Sequence, residues 1–154
     1  MNRILRGKAG LTILEVLMSA VIIMIAVLGI VGLFPTALQN VQYGGHMSQA
    51  SSLAQEMIEL IRTQPFLTVS SYHNLDTGTT PGVLPLVVQS HYDQWKADIA
   101  PANPAGALPQ GRGTIQVVDD ALGFADLKQV TVTVTWRERG TQTITLVTYV
   151  ARYA

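Results

Sequence analysis

The chain has 154 residues, no cysteine, and ten basic against ten acidic side chains, so its formal charge is zero. The length suits a single domain. The missing thiol excludes a disulfide framework, a thiolate metal site and a cysteine nucleophile, and the even charge balance argues against a general nucleic-acid binder, which normally carries a basic excess.

Only 13% of the residues are charged, about half the roughly 25% of a soluble domain, and the shortage has a location. Residues 1–14 (MNRILRGKAGLTIL) hold Arg3, Arg6 and Lys8 and no acid. Glu15 follows, and from Val16 to Gln55 there are forty residues without Asp, Glu, Lys or Arg. Inside this gap Val16–Phe34 is a nineteen-residue apolar run broken only by Ser19, Gly29 and Gly32. As a helix it is about 28 Å long, close to the roughly 30 Å hydrocarbon core of a bilayer. A buried core helix of this kind needs protein on every side, and a domain of this size has little to supply. A single membrane span is therefore expected. The basic leader places the N-terminus on the cytoplasmic side and the C-terminal region outside. Downstream, Pro35-Thr36-Ala37-Leu38 lacks a small-x-small site, which argues against conventional signal-peptide removal.

Glu15 sits at the mouth of the apolar run. A carboxylate inside a bilayer costs roughly 2.5–3.5 kcal/mol at the helix centre and less near an end. Position alone leaves two readings open: an interfacial carboxylate reaching headgroups or water, or a charge that meets a positive partner during assembly.

The segment Lys8-Ala9-Gly10-Leu11-Thr12-Ile13-Leu14-Glu15-Val16-Leu17 resembles the cleavage and methylation segment of type IV prepilins and related pseudopilins. That family has a short basic leader ending in Gly, then a hydrophobic residue, Thr, two apolar residues and Glu, then an apolar helix. The resemblance implies cleavage between Gly10 and Leu11 by a membrane prepilin peptidase, N-methylation of the new Leu11 amine, and pairing of Glu15 with the N-terminal amine of a neighbouring subunit in a filament. It also implies an inner-membrane precursor that partners other major and minor pilins and an assembly platform. Leu11 stands where Phe is commoner, and Pro35 lies further along than in typical major pilins. Leu14-Glu15-Val16-Leu17, the Gly29/Gly32 spacing, Gln55-Glu56-Met57 and the Thr-Val-Thr-Trp hairpin look most like V-type minor pilins of type IV pili. The I-type minor pseudopilins of type II secretion are similar over the same positions. The match is specific over the first 25 or so residues and general beyond them.

After Pro35, Ser48–Thr63 places Leu53, Met57, Leu60 and Ile61 at i, i+4, i+7 and i+8, with Ala50, Ala54 and Ile58 widening the stripe; this is an amphipathic helix. Glu59 and Arg62 fall outside it as an i,i+3 pair, and Gln64-Pro65 ends it. With Gly44-Gly45 as a flexible point, one helix of about 80 Å from Leu11 to Gln64 is expected. Residues 66–113 alternate Pro81, Pro85, Pro101, Pro104 and Pro109 with Gly78, Gly82, Gly106, Gly111 and Gly113. This is loop chemistry, with short strand or helical pieces at Val83–Val88 and His91–Lys96. By the resemblance it corresponds to the variable αβ-loop. Thr114–Val118 reads as a strand, and Val130–Trp136 alternates strictly, Val130, Val132, Val134 and Trp136 opposing Thr131, Thr133 and Thr135. Arg137-Glu138-Arg139-Gly140 is a turn, and Thr143–Val150 returns as the second arm of a hairpin.

The expected fold is therefore α+β and pilin-like, a long N-terminal helix packed on a small C-terminal antiparallel sheet. Its parts are a leader (1–10), an apolar helix (11–35), an amphipathic continuation (36–64) and a loop-rich region with the sheet (65–154). No catalytic constellation, cofactor site or metal site is expected. His46, His73 and His91 are isolated and read as surface or loop residues. Asp119-Asp120 with Asp126 is the densest acidic group and the one candidate for calcium, without EF-hand spacing. Gly111-Arg112-Gly113 is too short for a phosphate loop, Trp136 reads as sheet core, and Glu138 dilutes any phosphate patch at Arg137 and Arg139. An enzyme is not expected. The competing class is a monomeric, uncleaved, single-pass anchored binding domain, for which Gly10 and Glu15 are incidental.

Overall fold

The computed structural model describes residues 12–100 and 108–152. Its contacts divide the chain into two units, Met1–Gln42 and Tyr43–Ala154. Helix α1 (Ile13–Arg62) contributes to both.

In the first unit every described residue is exposed. From Ile13 (82%) to Phe34 (60%) the large apolar side chains stand at 51% exposure or more, and none is covered by protein. A helix that is apolar all round belongs in a nonpolar surrounding. By length and composition this one is able to cross a membrane once. The helix runs unbroken through Pro35 and through Gly44-Gly45, as one long helix of the expected extent.

The second unit is a helical layer on a sheet. From α1, Ala50, Leu53, Ala54, Met57, Ile58 and Ile61 are buried, a stripe at helical spacing. Leu60, expected within the stripe, is only half-buried. After α1 come α2 (Phe66–Val69), a 3-10 turn (Ser70–Tyr72), β1 (Leu75–Asp76), α3 (Leu86–Ile99), β2 (Arg112–Val118), a second 3-10 turn (Ala121–Gly123), β3 (Leu127–Arg137) and β4 (Thr141–Ala151). The strands form one antiparallel sheet in the order β1-β2-β3-β4. The three expected strands are present, β2 longer at its start and β3 and β4 at both ends, and β1 adds a fourth. On β3 the inward residues Val130, Val132, Val134 and Trp136 are buried to within 2%, as the alternation requires. The β3–β4 turn closes with Arg139 at φ 55° and Gly140 at φ 136°, the second a conformation that suits glycine.

Residues 66–113 correct the loop reading. The two short pieces expected there are a single fourteen-residue helix, α3, with Val83 outside it. It buries Val88, Tyr92, Trp95 and Ile99, spaced i, i+4, i+7 and i+11. Trp95 Nε1 donates to the Leu53 carbonyl at 3.1 Å and ties α3 to α1. On the sheet side Gly113 lets Trp95 and Ile99 lie directly on the β2 backbone, because a Cβ there would collide with both.

Candidate functional site

The sequence places its assembly chemistry at Gly10, Leu11 and Glu15. Gly10 and Leu11 lie outside the described residues. Glu15 is in the first turn of α1, exposed and flanked by exposed Leu14, Val16 and Leu17. Thr12 precedes the helix as its N-cap. Its side-chain oxygen accepts the Glu15 N–H at 3.2 Å, and its carbonyl accepts the Val16 N–H at 3.2 Å. Thr-x-x-Glu at a helix start is the spacing of a capping box, and an acid in the first turn is favoured by the helix dipole by about 0.3–1 kcal/mol. Sequence reasoning missed this local role. The signal is present in the spacing of Thr12 and Glu15. Chemically, the arrangement is one carboxylate at the start of an uncovered apolar helix, able to take one cation into a surrounding where any unpaired charge is costly.

The remaining candidates resolve into structural contacts. The three acids near the β2–β3 connection do not converge. Asp119 accepts from Lys128 Nζ at 2.5 Å and from Ser70 Oγ at 3.1 Å, Asp126 faces Arg152 at 3.5 Å, and Asp120 sits at φ 54°. Among the described residues no three His, Asp or Glu side chains gather as metal ligands. Arg112, the middle of Gly111-Arg112-Gly113, is held by Asp76 through Nε at 2.7 Å and through a second contact to Oδ2. That guanidinium keeps the Asp76 carboxyl below its ordinary range. The Lys128 ammonium does the same for Asp119. Both cations are thus committed to carboxylates within the fold.

The three histidines gather no metal-ligand group among the described residues, and His73 is an exposed turn residue as expected, but each has a hydrogen-bond partner in the fold. His46 Nδ1 meets Glu138 at 2.8 Å, and beside it Tyr43 donates to Gln142 at 3.0 Å, so α1 is pinned to the β3–β4 turn. His73 Nδ1 accepts the Val117 N–H at 3.2 Å. His91 Nδ1 lies 2.6 Å from the Tyr72 hydroxyl, whose pKa burial pushes up to about 12. Lys128 was not singled out from the sequence at all. It heads the inward alternation of β3, is 6% exposed, and sits 4.6 Å over the Phe66 ring, with Arg152 5.2 Å from the same ring. Trp136 is core, as expected, and its Nε1 has no partner among the described residues.

No protein-family model, curated protein or solved structure matches the chain.

Proposed function

We propose that the chain is a minor pilin, a low-abundance structural subunit that leaves the bacterial inner membrane to join a type IV pilus. The observation that carries this reading is the first unit: an apolar helix with no protein cover, bearing a single acid in its first turn, directly after a leader that ends in Gly10. In this reading prepilin peptidase cuts after Gly10, the Leu11 amine is methylated, and Glu15 pairs with the amine of the next subunit. The first unit then enters the filament core. Cleavage at Gly10 makes Leu11 the new N-terminal residue, four positions before Glu15 in the sequence. The removed leader carries Arg3, Arg6 and Lys8, and the 144 residues left hold seven basic and ten acidic side chains, a net of −3. A minor pseudopilin of type II secretion makes the same use of these residues.

One observation favours a second reading. A carboxylate in the first turn of a helix is favoured by the helix dipole alone, which gives Glu15 a local role in a monomeric, uncleaved anchored domain as well. The intact mass of the protein extracted from its native membrane decides between them. Loss of Met1–Gly10 with gain of one methyl group is the expected result, and a full-length chain overturns the assembly reading. Glu15→Ala should then abolish filament incorporation and leave membrane insertion intact. Thr12→Val, which removes the cap and keeps the carboxylate, should still incorporate.

A further inference from the structure

The charge-free stretch of α1, Val16–Gln55, holds one histidine, His46. Histidine is the side chain whose ordinary titration falls between about pH 5 and 8. Near neutrality His46 is therefore the one residue through which this stretch gains or loses a charge. The fold sets its ring against an acid. His46 Nδ1 lies 2.8 Å from Glu138 Oε2, with the two side chains 24% and 19% exposed. Arg137 and Arg139 flank Glu138 in the β3–β4 turn, and among the described residues neither forms an ion pair with it. On α1 the nearest charged residues in sequence are Glu15 and Glu56. Beside the pair stand the Tyr43 hydroxyl and the Gln142 side chain, 3.0 Å apart, neither of which changes charge in this range.

Apolar packing does not hold the helix at this point. No residue of α1 before Ala50 is buried, and Tyr43 and His46 are only half-buried. Gly44 and Gly45 stand between them with open space around both, and glycine is the weakest helix former after proline. Order in this segment therefore leans on its side-chain bonds to the turn. A neutral imidazole keeps the bond to Glu138 only in its Nδ1–H tautomer. A protonated ring donates from Nδ1 in every case and adds the opposite charge, and such charge-assisted bonds are the stronger ones.

We propose that His46 and Glu138 form a proton-sensitive clasp, which holds the Tyr43–Met47 segment of α1 on the β3–β4 turn at mildly acid pH and loosens it as His46 loses its proton. A base that gains an anionic partner on folding contributes its stability while protonated and loses it as pH rises, which fixes the sign. The clasp lies within the second unit. It extends beyond the assembly reading and does not depend on it.

The test is amide exchange on the full chain in detergent micelles. Protection at residues 43–48, taken relative to the intrinsic exchange rate at each pH, should be about two- to fivefold greater at about pH 5.5 than at about pH 8. Glu138→Gln, which keeps an acceptor and removes the charge, should abolish the difference, and His46→Gln should do the same. The wild-type chain supplies a second readout without any variant, since the His46 ring resonance should titrate with the same midpoint as the change in protection. Equal protection at the two pH values, or midpoints that do not coincide, overturns the proposal. So does a difference that survives in Glu138→Gln, which assigns it to His73 or His91.

Discussion

Ile25 and Met57 belong to the same helix and live under opposite rules. Ile25 is 66% exposed, and its neighbours in the first unit are equally uncovered; Met57 is fully buried against the sheet. The second unit therefore carries its own stability through a core shared by α1, α3 and the strands. The first unit contributes apolar surface that only a surrounding other than water can satisfy. Sequence makes the difference visible at once. Through residues 16–34 the apolar residues fill every helical face, whereas through 50–61 they keep to one stripe.

The widest test of this contrast is side-chain truncation. Trp136→Ala should destabilise the folded unit by about 3–5 kcal/mol, and Ile25→Ala should leave its unfolding in detergent within about 0.5 kcal/mol of wild type. Denaturant titration followed by circular dichroism measures both. Equal losses would mean that the first unit is buried by protein after all. Within the second unit, two glycines differ by what surrounds them. Gly113→Ala meets Trp95 and Ile99 and should cost about 1–3 kcal/mol as an overpacked site. Asp119→Ala leaves the buried Lys128 ammonium with Ser70 and the Phe66 ring alone, and should cost about 1–2 kcal/mol, discounted because the carboxylate itself is exposed. Gly44→Ala has open space around it and should stabilise the helix by about 0.5–1 kcal/mol.

Acid sharpens the comparison from another side. Asp76 and Asp119 hold folded-state pKa values below the ordinary 3.8. Their contribution is therefore complete above that value and is lost as pH falls through the lower folded-state values. The share of stability that these two carboxylates supply should be complete above about pH 5 and weaken below pH 3.8. Asp76→Asn with Asp119→Asn should flatten that acid limb. A thermal melt series against pH measures it.

The stripe of α1 and the Val-Thr alternation of β3 were readable because each repeats one period over enough residues to outweigh chance. Helix α3 was not. Its four buried residues stand among Gln89, Ser90, His91, Asp93, Gln94, Lys96 and Asp98, and the prolines and glycines on either side set the expectation of a loop. Strand β1 is too short to have a period. Lys128 shows a different limit: a charged residue at the head of an alternating run reads as the end of the strand. Only the approach of Asp119, Ser70 and Phe66 from distant parts of the chain makes its burial tolerable. The histidine contacts were illegible for the same reason, since His46 and Glu138 are brought together by the fold and not by spacing. For the candidate site the reverse holds. Glu15 stands out in the sequence as the one acid before a charge-free run, and the structure adds its place in the first turn of α1 and a bond from its backbone N–H to Thr12.

The chain has two tryptophans, Trp95 and Trp136, each 2% exposed and both in the second unit. One donates its indole proton to Leu53; the other has no partner among the described residues. Their ultraviolet emission is thus an optical label that nature has placed on one unit alone. Insertion of residues 13–42 into lipid should pass without a change in it, and opening of the sheet should shift it to the red.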